Sequence, residues 1–175
     1  DHRDLHSFPT RRSSDLLRRL KAKGSTACIT AVASVQEEIG ARGVIPAAYQ
    51  ADADIGIAVD VVFASDYPSE NPTEQGDIRI GGGPVIARGP ILDAALADRL
   101  AAVATKRKIP HQFEATGRST GTDADMIQIT RGGVRTGLVS IPIRYMHTPV
   151  ETLDIGDLER TAELLALTVA DVVAG

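Results

Sequence analysis

Nine consecutive residues, Ile55 to Phe63 (IGIAVDVVF), constrain this chain more than any other stretch. A near-continuous apolar run of strand length, rich in β-branched residues, is the signature of a strand buried on both faces of a mostly parallel sheet. Asp60 interrupts it. An unpaired carboxylate is very costly to bury, so Asp60 needs a helix cap, a salt bridge or a bound cation to sit there. The stretches around the run alternate in period. A basic amphipathic helix is expected to end over residues 16–24, stopped by Gly24, and Thr26 to Val35 reads as a first strand. Residues 43–50 read as a helix with Val44, Ala47 and Ala48 on one face, and residues 92–108 as a longer one with Leu92, Ala95, Leu96, Leu100 and Val103 at helical spacing. Short strands are expected at 84–87, 111–115 and 134–141, the last closed by Pro142. A short helix is expected to begin at 122–125, and a final helix, capped by Asp154, has Leu158, Ala162, Leu165, Val169 and Val172 as its apolar face. The class is therefore α/β, a mostly parallel twisted sheet flanked by helices.

The end of the expected first strand carries the most chemistry. In Ser34 to Gly43 (SVQEEIGARG) two adjacent carboxylates, Glu37 and Glu38, arrive where Gly40 and Gly43 let the chain turn. Adjacent side chains on a strand point to opposite faces. The pair can share a task only if the strand has already ended. Such a pair suits a division of labour, in which one carboxylate holds a cation and the other handles a proton; the plain alternative is a solvated loop at a sheet edge. Loops at the carboxyl ends of parallel strands converge on one crevice, which places Glu37, Glu38 and His147 to meet. Two carboxylates and an imidazole suit zinc or a neighbouring divalent metal, and the extra glutamate suits a water-activating base. Asp60 would then be offset by a cation. Each residue also has an ordinary reading: Asp60 as a cap or salt-bridge partner, His147 as a hydrogen-bonded surface histidine.

Composition narrows the partners. With 175 residues, 43% hydrophobic, the chain can bury one sizeable core. A formal net charge of -4 offers no basic surface, so nucleic acid and anionic membrane are not expected partners. The single cysteine, Cys28, excludes an internal disulfide and a cysteine metal cluster, and reads as a buried small hydrophobe. No segment is long and apolar enough for a membrane span, so a cytoplasmic protein is expected. The glycines at 81–83 lack the Gly-Lys-Ser/Thr of a phosphate loop and read as close backbone packing. Residues 1–16 (DHRDLHSFPTRRSSDL) have no periodicity and resemble a translated sequencing-adapter read. They are expected to be foreign to the protein, and His2 and Asp4 are read as no site.

VQEEIGARG, IAVDVVFASD, GGGPVI, GTDADMIQITRGGVRTGLVSIPIRYMHTPVE and the following DLERTAELL resemble, in order and spacing, the tetrahedral or glutamyl (deblocking) metallo-aminopeptidases, some of which carry an old endoglucanase label. The resemblance runs from about Leu16 to the C-terminus. It implies a zinc-peptidase-like catalytic domain with two divalent metal ions per complete subunit, zinc or cobalt. It also implies Glu37 as the catalytic carboxylate that activates water, Glu38 and His147 as ligands of one metal, and Asp60 as a ligand of the other. Gly121, Thr122 and Asp123 match a motif near the site and are given a shaping role. Peptides would be the substrates and a homo-oligomer, a dodecamer, the assembly. Two ligands of the family, an upstream histidine and a bridging aspartate, are not found in this sequence, nor is the inserted β-rich assembly domain. Residues 17–175 are thus expected to be the C-terminal part of an N-terminally truncated catalytic domain, with weak metal binding and little or no activity alone. The rivals are a glycoside hydrolase using Glu37 with a second carboxylate, although tryptophan is absent and aromatics make up only 3%, and a non-catalytic assembly subunit of the same fold.

Overall fold

The computed structural model describes residues 28–68 and 70–174. The adapter-like string and the helix expected over 16–24 lie outside the described residues. The elements are α1 (Val44–Ala51), β1 (Ile55–Phe63), α2 (Pro72–Gln75), β2 (Val85–Arg88), α3 (Ala94–Arg107), β3 (Gln112–Ala115), α4 (Ala124–Ile127), β4 (Arg135–Arg144), β5 (Thr152–Leu153) and α5 (Ile155–Ala174).

The strands form one sheet in the order β1-β4-β2-β3, with β5 on β4. β1 and β4 run parallel along nine residue pairs, from Ile55 opposite Arg135 to Phe63 opposite Ile143, and β2 runs parallel to β3. β2 meets β4 antiparallel, however, as does β5, so the sheet is mixed. Parallel neighbours need a crossover, usually helical. α3 provides one between β2 and β3, and the path from β1 to its parallel neighbour β4 passes through α2, α3 and α4.

Helices cover both faces. On one, α3 and α5 bury Leu96, Leu100, Val103, Leu164 and Leu165 against Ile86 and Val139 of the sheet. On the other, Ala124 and Ile127 of α4 pack on Ala58, Ala87 and Leu138. α3 shows why its sequence is a helix. Asp93 accepts the Leu96 N–H at 2.8 Å as N-cap, Lys106 and Arg107 complement the negative end of the dipole, and Lys108 closes the helix in the left-handed region. Its buried face is Leu96, Ala97, Leu100, Val103 and Ala104; Ala95, expected inside, is exposed. On α5 the buried line runs through Asp157, Thr161, Leu164, Leu165 and Thr168, one position away from most of the expected stripe. Asp154 does prepare this helix, accepting the Gly156 N–H at 2.6 Å.

Four expectations are corrected. The run from Thr26 to Val35 forms no strand over its described part: residues 28–35 are irregular, and Val32 and Val35 are exposed. A β-branched run becomes a strand only with a neighbour to complete its ladder, and none pairs with it among the described residues. Cys28 is accordingly exposed, not buried. β1 is not buried on both faces: Ala58 and Val62 are buried on one, whereas Val59, Val61 and Phe63, which alternate onto the other, are exposed. Finally, β4 runs through Pro142 to Arg144. The Ile143 carbonyl accepts the N–H of Ala64, just past β1, so by alternation the nitrogen of Pro142 faces the other side, where β2 pairs only as far as Ser140. No ladder hydrogen bond is lost there.

Candidate functional site

The parallel register of β1 and β4 puts their carboxyl ends side by side. Asp60, opposite Ser140, lies in the second half of β1, and His147 follows the end of β4 by three residues. Glu37 and Glu38 come in on a turn that closes onto α1. The N–H groups of Gly40 and Ala41 donate to the Glu37 carbonyl at 3.0 and 2.9 Å, and that of Gly43 to the Val35 carbonyl at 2.9 Å. Glycine is needed at both ends of this turn. Gly40 sits at φ +111, and a Cβ on Gly43 would lie 2.4 Å from the Val35 carbonyl oxygen. The acids therefore lie on a turn, where no strand pleat sends adjacent side chains to opposite faces, and they are free to act together.

The turn brings Glu38 Oε2 to 3.5 Å from His147 Nε2. The histidine is held in the left-handed region at φ +62, and its backbone N–H donates to Glu151 Oε1 at 2.6 Å. Asp60 is half-buried and receives one fixed hydrogen bond, from the Val61 N–H at 2.8 Å. Burial pushes its carboxyl above the usual aspartate range; the Val61 bond opposes this, and the charges of Asp123 and Glu38 add to it. Glu37 is pushed up as well, first by burial and then by Asp60, Glu38 and Asp123, with His147 pulling the other way. A raised glutamate that remains within reach of solvent is suited to taking and returning a proton.

Gly121, Thr122 and Asp123 lie in the loop before α4 and its first turn. The loop before α4 winds around Asp125, which accepts from the Thr120 N–H at 2.8 Å, Thr120 Oγ1 at 2.6 Å and the Gly121 N–H at 3.1 Å. Thr122 Oγ1 accepts the Ala124 N–H at 3.2 Å. Asp123 does something else. Its Oδ2 accepts from the Ser34 hydroxyl, while its Oδ1 is buried without a hydrogen-bond partner among the described residues. Sequence reasoning underweights this residue because an aspartate before a helix reads as a cap, and Asp123 makes no cap bond.

Glu38 thus lies against the His147 imidazole, and Glu37 feels the charges of Asp60, Glu38, Asp123 and His147. Carboxylate oxygen and imidazole nitrogen suit zinc, cobalt and manganese, and the like-charge crowding with an orphaned Asp123 oxygen fits a bound cation. The fit is partial: among the described residues no group of three or more His, Cys, Asp and Glu side chains is placed to hold a metal ion. Glu38 with His147 form a two-donor pair, and Asp60 stands beside it. The glycine stretch at 81–83 is no second site. The N–H groups of Gly81 and Gly83 donate to the buried Asp157 at 2.6 and 2.8 Å, and a Cβ on Gly83 would collide with the Pro110 carbonyl at 1.9 Å.

Fold and centre together define an α/β protein with an acid-rich, histidine-bearing site at the carboxyl ends of paired parallel strands. The profile of the M42 glutamyl aminopeptidase family matches residues 13–164, and the chain belongs to that family. It is 47% identical over 135 residues to the lysyl aminopeptidase of Pyrococcus furiosus, covering 76% of this chain and 38% of that protein. Among solved structures it resembles aminopeptidase APDkam598 of the archaeon Desulfurococcus kamchatkensis, with a TM-score of 0.79, 31% identity and coverage of 91% and 48% of the two chains. It also resembles the TET1 peptidase of Pyrococcus horikoshii, described as assembling into a tetrahedron or an octahedral shell, with a TM-score of 0.64, 31% identity and coverage of 78% and 39%. The chain spans less than half the length of each of these three proteins. No helix among the described residues is long and apolar enough to cross a membrane.

Proposed function

We propose that the complete protein is a metal-dependent aminopeptidase of the cytoplasm, and that this chain carries the proton-transferring acid and part of each cation site. The observation that carries the reading is the 3.5 Å approach of Glu38 to His147, two residues far apart in sequence that the fold brings together beside Glu37. Glu38 and His147 would hold one divalent cation and Asp60 would contribute to a second, zinc or cobalt suiting both. When bound, such cations supply Lewis acidity that polarises a scissile carbonyl and acidifies water. Glu37 takes a proton from the attacking water at its carboxylate and returns it to the departing amine, a task for which its raised pKa is fitted. The substrates are peptides with a free amino terminus. The assembled state of the TET1 relative supports a homo-oligomer, a dodecamer in this reading, for the complete protein.

Because the donors here make a pair and a single, we expect the 175-residue chain alone to bind cobalt weakly and to turn over an aminoacyl-anilide little or not at all. The same chain joined to the family's upstream half should hydrolyse it with zinc or cobalt. Glu37→Gln in that protein should then lower kcat by at least about a hundredfold, as loss of a general base does. Full turnover by the Glu37→Gln protein would refute the assignment, as would activity that survives complete removal of metal by a chelator.

A further inference from the structure

The segment that bears Glu37 and Glu38 has little of its own to fix it. Residues 28–36 lie in no strand or helix, and the hydrogen bonds of the turn from Val35 to Gly43 are made within the turn itself. Among the described residues the segment is tied to the body of the protein by the hydroxyl of Ser34, which donates to Asp123, and by the approach of the exposed Glu38 side chain to His147. Asp123 in turn stands on firm ground. The next residue, Ala124, is fully buried against Ala58, Ala87 and Leu138, and Thr122 takes over the helix-capping bond. The Asp123 carboxylate is released from the usual duty of an aspartate at that position.

We infer that Asp123 is a positioning residue, which through Ser34 holds the Glu37–Glu38 turn in register with Asp60 and His147. This rests on the reading of Glu37 and Glu38 as the working acids. The placement of Asp123 is otherwise unfavourable, since its charge faces Glu37 and Asp60 and adds to the burden on both. A bond to an ionised acceptor is stronger than a neutral one, so the charge tightens the tether that the turn depends on. Asparagine would accept the same hydroxyl without the repulsion, but with a weaker hold.

Hydrogen exchange and cobalt titration of the 175-residue chain test this together. Ser34→Ala and Asp123→Ala should each speed exchange of the Gly40, Ala41 and Gly43 amides about tenfold, the change expected for one hydrogen bond, and should weaken cobalt binding, read from its visible absorption, by a similar factor. The double variant should be no worse than either single one, since both remove the same bond. Ser34→Thr, which keeps the hydroxyl, should restore both readouts, and the amides of α3 should not change in any variant. Exchange at the turn unchanged in Ser34→Ala, or single effects that add in the double variant, would overturn the inference. So would a loss of cobalt binding in Asp123→Ala but not in Ser34→Ala, because Asp123 would then be a ligand itself. His147→Ala separates the two claims: if it leaves cobalt binding intact while the exchange pattern holds, the metal reading fails and the tether stands.

Discussion

The core under α3 and α5 and the acidic end of β1 and β4 are built to opposite rules. Under α3 and α5, Leu96, Leu100 and Leu164 are almost wholly buried, and the one charged group that enters among the described residues, Asp157, is matched by Gly81, Gly83 and Arg160, although the neutral hydroxyl of Thr168 is buried without a partner. Around the carboxyl ends of β1 and β4, carboxylates face one another, Asp123 keeps an unmatched oxygen, and the turn bearing two of the acids is tied down by few bonds. One region is organised for stability and the other tolerates unfavourable placement. Sites that bind cations or move protons commonly carry such strain, supported by a scaffold that does not.

Substitutions should therefore act with opposite sign in the two regions. The largest effect is expected for Leu100→Ala, which empties a fully buried position between α3 and the sheet. A loss of about 2–5 kcal/mol in denaturant unfolding follows from lost burial and the cavity left behind. Asp157→Ala should come next. It strands the buried Gly83 N–H and leaves that of the exposed Gly81 to solvent, for a loss of about 1–3 kcal/mol, the cost of one unsatisfied buried group. At the acidic site the sign should reverse. Asp60→Asn relieves a half-buried carboxylate of its like-charged neighbours, and metal-free chain should gain about 1 kcal/mol, the size of a typical stability-for-function exchange. A destabilised Asp60→Asn variant would break the comparison, because the site would then be as well satisfied as the core.

What the sequence reveals divides along the same line. α3 is legible because the Asp93 cap, the apolar spacing and the terminal basic residues all point to one structure, and the β1 and β4 runs announce strands by their apolar content. The approach of Glu38 to His147 is expected from loops gathering at the carboxyl ends of parallel strands, yet Glu38 reaches it from a turn that follows no strand among the described residues. Other features depend on neighbours that a sequence does not display. Thr26 to Val35 has strand composition but pairs with nothing among the described residues, so Val35 and Cys28 are exposed. Pro142 looks like a strand end, and becomes tolerable only because β2 stops short of it. Asp123 looks like a cap, and is freed by Thr122.

The smallest expected effect is the one that tests the comparison by pH. Asp66 belongs to the satisfied part of the molecule: Arg144 donates to it at 2.8 and 2.7 Å, and this bond holds its carboxyl below the usual range. Glu114 on β3 is half-buried, has no hydrogen bond or ion pair among the described residues, and is pushed up by burial. For Asp66 the folded-state pKa lies below the unfolded one, so its contribution is fully present above the unfolded value of about 3.9 and disappears as pH falls through the folded value. For Glu114 the folded-state pKa lies above the unfolded one. Its protonated form costs nothing, and a penalty grows as pH rises from about 4.3 through the folded value. Near pH 7 Asp66→Asn should thus lower the thermal midpoint and Glu114→Gln should raise it, each by less than about 1 kcal/mol in stability. As the pH is brought down toward about 3, both differences from the parent chain should shrink, one from below and the other from above. If Glu114→Gln is instead less stable than the parent at neutral pH, Glu114 has a partner that matches its charge, and half-burial on this sheet face is not the liability that the contrast between the two regions requires.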